Sequence, residues 1–212
     1  MHNSFYIISS CHIQNGKVVL NGEALPVNNS SSLNEILKSL YQHLQLDYPK
    51  FFKMDELCKL AFITTELTLK DFPLQESTEG ETAIVLANAA STLETDRKHQ
   101  ESIKDEENYF PSPAVFVYTL PNITIGEITI RHKLKGENTF FITEKYDTGF
   151  MSRYVNSLLQ NNKSDKVITG WINYGPDGYD GFIYLAGKDK KGLSLEHNVE
   201  NLSLLYKSSA SV

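Results

Sequence analysis

Apolar positions change their period several times along the chain, and each change marks an element. FYIISSCHI at 5–13 is rich in β-branched and aromatic residues and predicts a first strand. NGKVVLNG at 15–22, bounded by two Asn-Gly pairs, predicts a small ribbon. The loop NNSSS at 28–32 ends in a helix N-cap at Ser32, and Glu35 completes a capping box. The helix that follows runs to about Leu46 and sets Leu33, Ile36, Leu37, Leu40, Tyr41 and Leu44 on one face. Tyr48 to Phe52 is a connector broken by Pro49. Beyond it, the spacing of Met54, Leu57, Cys58, Ala61, Phe62 and Thr65 predicts the cleanest amphipathic helix of the chain. QESTEGE at 75–81 is a polar loop, and TAIVLAN at 82–88 has the length and continuity of a buried parallel strand.

Residues 91–107 are almost wholly polar or charged, which leaves an exposed helix or a mobile loop, ending in the turn NYFPSP. NTFFIT at 138–143 predicts another strand. DTGFMSRYVNSLLQN predicts a helix with Phe150, Met151, Tyr154, Val155, Leu158 and Leu159 on one face. DKVITGWIN at 165–173 and GFIYLAG at 181–187 read as strands joined by the turn YGPDGYD, so they pair antiparallel. LSLEHNVENLSLL at 193–205 reads as an exposed tail element of unassigned type. Strands alternating with helices predict an α/β domain with a mostly parallel sheet, and no repeat or linker divides residues 1–212.

Composition narrows the function classes. A chain of 212 residues with 41% hydrophobic and 22% charged residues suits a soluble globular protein. The formal charge of -6 argues against a nucleic-acid partner, because phosphate binding needs a concentrated basic face. Lys188, Lys190 and Lys191 cluster, but Asp189 interrupts them and a solvated turn explains them. No apolar stretch is long enough to span a bilayer and none resembles a leader, so a cytoplasmic location without membrane contact is expected. Cys11 and Cys58 each lie in an apolar run, as reduced buried thiols do. His12, His43, His99, His132 and His197 show no metal spacing, so neither a metal nor another cofactor is expected. Asn173, Tyr174, Asp177, Tyr179 and Asp180 crowd one turn, a composition that fits sugar or cation binding and fits an ordinary turn equally well.

From Lys53 to Gly187 the order of motifs resembles the N-terminal half of β-ketoacyl-acyl carrier protein synthases, condensing enzymes of the thiolase superfamily. KMDELCKLAF looks like a helix of that half, and ETAIVLANAASTLETDRKHQ resembles its strand with a small-residue turn. SPAVFVYTLPNITIGEITIRHKLKGENTFFIT is the strongest match, with a proline- and asparagine-marked helix entry, a Gly, an Arg and a KGPN-like turn before the nucleophile strand. SDKVITGWIN and YDGFIYLAG resemble the last two strands. The resemblance implies a single half-thiolase-like domain: a mixed, mostly parallel five-stranded sheet, its last strand antiparallel, with helices on both faces. Residues 1–52 then supply a first strand, ribbon and helix, and 188–212 a C-terminal tail. It also implies a helix where Ile123, Ile125, Ile128 and Ile130 would read as a strand on propensity alone.

Condensing enzymes carry a cysteine at the N-terminus of a buried helix, where the helix end stabilises the thiolate. Counting from KGEN, Lys145 stands at that position, followed by Tyr146 and Asp147, and no cysteine lies between 137 and 160. Glu144 and Asp147 would hold the Lys145 amine protonated, which disfavours Schiff-base chemistry. The sequence runs 25 residues past Gly187, so no counterpart of the family's C-terminal half and its histidine pair is expected within residues 1–212. The family's long insert between the last two strands is reduced to the turn around Pro176-Asp177-Gly178.

Three readings follow from the resemblance. The first is a non-catalytic partner or chain-length subunit of a type II fatty-acid, polyketide or aryl-polyene-type pathway. It would pair as a homodimer, or with a full-length ketosynthase, through the apolar strand Asn138, Thr139, Phe140, Phe141 and Ile142. The second is a residual enzyme using Lys145 or Tyr146. The third is a module binding an acyl chain or an acyl carrier protein, with Arg131, Lys133 and Lys135 as the dock for an acidic carrier.

Overall fold

The computed structural model describes residues 4–26, 32–74, 81–105, 107 and 109–211. Most of the loops expected at 28–32 and 75–81, and Asn108 of the expected turn, lie outside these residues. The first apolar run forms β1 (Tyr6–Gln14). β2 (Lys17–Leu20) and β3 (Glu23–Ala24) follow as the expected ribbon, turned at Asn15-Gly16 and Asn21-Gly22. All four turn residues have positive φ, the conformation that asparagine and glycine adopt at least cost.

Helix α1 (Leu33–His43) starts at Ser32, whose side chain makes no cap hydrogen bond, so the expected capping box does not form as written. A short 3-10 helix (Pro49–Lys53) leads to α2 (Glu56–Leu69), capped by Asp55, which accepts from the Cys58 N–H at 2.8 Å. This helix is buried on nearly every side rather than amphipathic. Its threonines tolerate that because Thr64, Thr65 and Thr68 each donate to the carbonyl one turn back.

β4 (Thr82–Asn88) is buried throughout, and the polar stretch after it forms a helix, α3 (Leu93–Ile103). The short α4 (Pro113–Val117) precedes α5 (Asn122–His132), so the isoleucine-threonine run is helical. Thr124, Ile125, Glu127 and Ile128 are buried at helical spacing, and this packing overrides the β propensity of the residues. β5 (Asn138–Ile142), α6 (Thr148–Gln160), β6 (Lys166–Gly175), β7 (Gly178–Gly187), β8 (Leu195–Glu196) and α7 (Val199–Ser211) complete the chain. The expected exposed tail is therefore mostly a packed helix: Leu202 and Leu205 of α7 are buried. No helix among the described residues is long and apolar enough to cross a membrane.

Among the described residues the sheet has eight strands in the order β3-β2-β1-β7-β6-β4-β5, with β8 pairing β1, rather than the expected five. The ribbon and β8 account for the difference, since both add to β1. β5 and β6 lie parallel to β4, while β7 is antiparallel to both β6 and β1. The ribbon and β8 also pair antiparallel, so the described sheet is mostly antiparallel and not mostly parallel as expected, because short turns join β1 to β2, β2 to β3 and β6 to β7. One face carries α1, α2 and α5 over a core containing Cys11, Phe62, Ile183 and Leu185. The other carries α6 and α7 over Trp171, Phe182 and Tyr184.

Two glycines set close approaches. A Cβ on Gly170 would lie 1.9 Å from the Phe182 carbonyl oxygen, and one on Gly136 would lie 2.2 Å from that of Thr82. In the second core, the Tyr184 hydroxyl lies 3.0 Å from His197 Nε2, and His197 Nδ1 lies 2.7 Å from Asn156 Oδ1. The neutral ring satisfies both: Nδ1–H donates to the amide oxygen and Nε2 accepts from the phenol. This ties α6, β7 and the start of α7 together.

Both features have measurable consequences. Gly170→Ala forces backbone atoms apart and is expected to lower unfolding stability by about 1–3 kcal/mol or more in denaturant titrations. An unchanged midpoint would contradict the close approach. Burial lowers the His197 ring from 6.5 to about 4. The unfolded chain therefore takes up the proton first, and the stabilisation held above pH 6.5 is lost as pH falls toward 4, by roughly 3 kcal/mol in all. Denaturation curves for His197→Gln should show a flatter slope across that window.

Candidate functional site

The loop Thr143–Asp147 joins β5 to α6 at the carboxyl end of the parallel strands, where open α/β sheets place their sites. Asp147 is the N-cap of α6 and accepts from the Phe150 N–H at 2.8 Å. That interaction satisfies a helix N-terminal donor of the kind an activated thiolate would use. Lys145 and Tyr146 are neighbours in sequence but point to different surroundings. Lys145 is exposed, and Tyr146 reaches into the second core.

The Tyr146 ring lies 4.9 Å from the Tyr206 ring, 5.8 Å from Phe182 and 5.9 Å from Trp171. Its hydroxyl is buried without a hydrogen bond of ordinary geometry. Burial pushes the phenol well above its usual range, and Tyr184, Tyr206 and Asp180 push it further. At neutral pH it is a neutral phenol inside an aromatic cluster, suited to packing and not to proton abstraction.

Beside it lies a polar cluster that the sequence alone did not reveal. Asp180 on β7 meets His12 on β1, with Oδ1 2.7 Å from Nε2. The Tyr206 hydroxyl on α7 donates to Asp180 Oδ2. The His12 ring stacks on Tyr206 at 5.3 Å and is itself buried. Burial raises the Tyr206 hydroxyl, and the Asp180 charge adds to the shift. The alternation of Asp180, Phe182 and Tyr184 along β7 was the available signal, but His12 and Tyr206 come from opposite ends of the chain.

Both thiols are remote from this loop. Cys11 on β1 and Cys58 on α2 belong to the first core, across the sheet from α6. Burial raises both, and for Cys58 the Asp55 charge adds to the shift while a hydrogen bond with Thr124, 3.3 Å away, opposes it.

The expected interface strand is an edge, with β4 as its single neighbour among the described residues. Asn138 is exposed and Ile142 is 51% exposed. Thr139 is half-buried and Phe140 packs toward the first core. Phe141 meets Phe150 at 4.9 Å and Tyr154 at 5.2 Å. The two phenylalanines are therefore partly covered by their own helices.

The three proposed docking cations do not act alike. Arg131 Nε donates to Glu66 at 3.1 Å and its guanidinium lies 5.5 Å from the centre of the Tyr48 ring. His132 Nε2 lies 3.0 Å from the same carboxylate oxygen. Burial raises the Glu66 carboxyl, but His132 and Arg131 outweigh that and hold it below its usual value. Arg131 is thus tied between α5 and α2. Lys133 is the left-handed C-cap of α5, and Lys135 is exposed beyond it. Among the described residues, no group of three His, Cys, Asp or Glu side chains could hold a metal ion.

No protein-family model and no curated protein matches the sequence. Solved structures do match the fold. The ishigamide ketosynthase/chain length factor aligns with a TM-score of 0.63 over 87% of this chain and 62% of that one, at 17% identity. The ketosynthase ApeO in complex with its chain length factor ApeC, from Xenorhabdus doucetiae, aligns with a TM-score of 0.58 over 88% of this chain and 79% of that one, at 15% identity. A type II polyketide acyl-carrier protein in complex with its ketosynthase bound to the hexaketide aligns at 0.60 over 88% and 63%, with 12% identity. The chain spans less than two thirds of the first and third of these proteins. At such identities the likeness is one of architecture, and this chain has the fold of ketosynthase and chain length factor proteins.

Proposed function

We propose that this chain is a non-catalytic, ketosynthase-like subunit that works by pairing, either with a full-length ketosynthase or with a second copy of itself. The observation that carries this reading is the nucleophile loop. Tyr146, partly buried, packs its ring against the core beneath α6, Lys145 faces solvent and Asp147 caps the helix, while both thiols lie across the sheet. Nothing in that loop offers an activated nucleophile. One fold neighbour is a ketosynthase in complex with its chain length factor, and we assign this chain the partner role in such a pair.

The pairing surface is the β5 edge. It is uncharged, one strand deep and free of proline, without the usual devices that block strand addition. Ile142 stands out from it with half its surface in solvent. A residual enzyme is disfavoured by the buried neutral phenol of Tyr146, and a carrier dock by the commitment of Arg131 to Glu66.

Two experiments test the proposal. Incubation with acyl-thioesters should leave the intact mass of the protein unchanged, and an acyl adduct lost in Lys145→Ala would sink the non-catalytic reading. Ile142→Lys should weaken self-association, or co-purification with a ketosynthase, by about tenfold or more. Its melting temperature should stay within a few degrees of the parent, because the site is exposed. Association that survives the substitution would move the interface away from β5.

A further inference from the structure

We propose that the cleft between the β6–β7 turn, the β1–β2 turn and the start of α3 binds a neutral polyhydroxylated ligand, a sugar or cyclitol. The cleft is an open depression of about 560 Å³ outside the carboxyl ends of β4 and β6. It holds most of the Asn173–Asp180 crowd, whose composition an ordinary turn already explains.

Its chemistry discriminates between ligand classes. Among the described residues no lysine or arginine lines it, and Asp177 and Asp180 give it negative character, which disfavours phosphates and carboxylates. A bare cation needs converging oxygens with lone pairs to spare. Here Asp180 is already engaged, one oxygen by His12 and the other by Tyr206. What remains is a mixture of donors and acceptors. Asn173 Oδ1 accepts from the N–H groups of Ala89 and Ala90 at 3.1 and 3.0 Å, which leaves the amide nitrogen to donate. The Tyr179 hydroxyl accepts from the Gly16 N–H at 2.7 Å and keeps its own proton to give. The Gln14 and Asn15 amides both donate and accept, and the Asp177 carboxylate accepts.

Interleaved donors and acceptors suit hydroxyl groups, each of which does both. Leu93, 39% exposed, stands with Ala89, Ala90 and Pro176 as an apolar strip for the C–H face of a ring. The same hydrogen bonds that occupy Asn173, Tyr179 and Asp180 also fix the walls before a ligand arrives, which lowers the ordering cost of binding.

Saturation-transfer NMR on the full chain, with neutral hexoses and myo-inositol each at about 10 mM, covers dissociation constants around the millimolar range. At least one sugar should bind. Asp177→Ala and Leu93→Glu, both at exposed positions, should each weaken it by about tenfold. Lys188→Ala, at the far end of β7, should leave it unchanged. The proposal is overturned by silence from every sugar, by binding that ignores both cleft substitutions, or by tetramethylammonium or calcium binding more tightly than any sugar.

Discussion

β7 runs against both of its neighbours, and it pairs along its length with β6 on one side and β1 on the other. Its alternation presents Phe182, Tyr184 and Ala186 to one core and Ile183 and Leu185 to the other. A slip of one residue would exchange these sets and disrupt both cores together. Gly170 holds the register, because only a residue without a Cβ lets β6 come so close to the Phe182 carbonyl. The helices on either face, the ribbon beyond β1 and the polar contacts of Asp180 all take their positions from this strand. β7 is the place where the amino-terminal strand and the last third of the chain become one sheet.

Much of the architecture was legible in the sequence because its apolar periods are local. α6 shows its face in Met151, Val155, Leu158 and Leu159, and all four are buried. β4 shows itself as an unbroken apolar run. The strand count was harder to read. β3 spans Glu23–Ala24 and β8 spans Leu195–Glu196, each too short to give a period. α7 was hidden for a related reason: Leu202 and Leu205 are separated by polar and exposed positions that look like a surface tail. α5 is the reverse case. Its β-branched residues favour a strand, and tertiary burial of Ile125 and Ile128 makes it a helix.

The site was legible only in part. The absence of a thiol after β5 can be read directly from the chain, and so can the carboxylate that caps α6. The opposite exposures of Lys145 and Tyr146 follow from the aromatic environment formed by Trp171, Phe182 and Tyr206, which come from three other elements. The pairing of Arg131 with Glu66 depends on how α5 crosses α2, which no local pattern encodes. Sequence order brings Lys133 and Lys135 beside Arg131; the crossing of the helices commits the arginine elsewhere.

The two ends of the sheet are unlike. At one end β3 is a two-residue strand that leads with Glu23, exposed to water. At the other, β5 offers five residues without a charge. Growth by strand addition therefore has a direction. In the proposed pairing, a two-fold joining of two β5 edges would cover both and leave the β3 end, with its exposed Glu23, facing outward on each side. The direction of strand addition would then favour a closed pair over an open array.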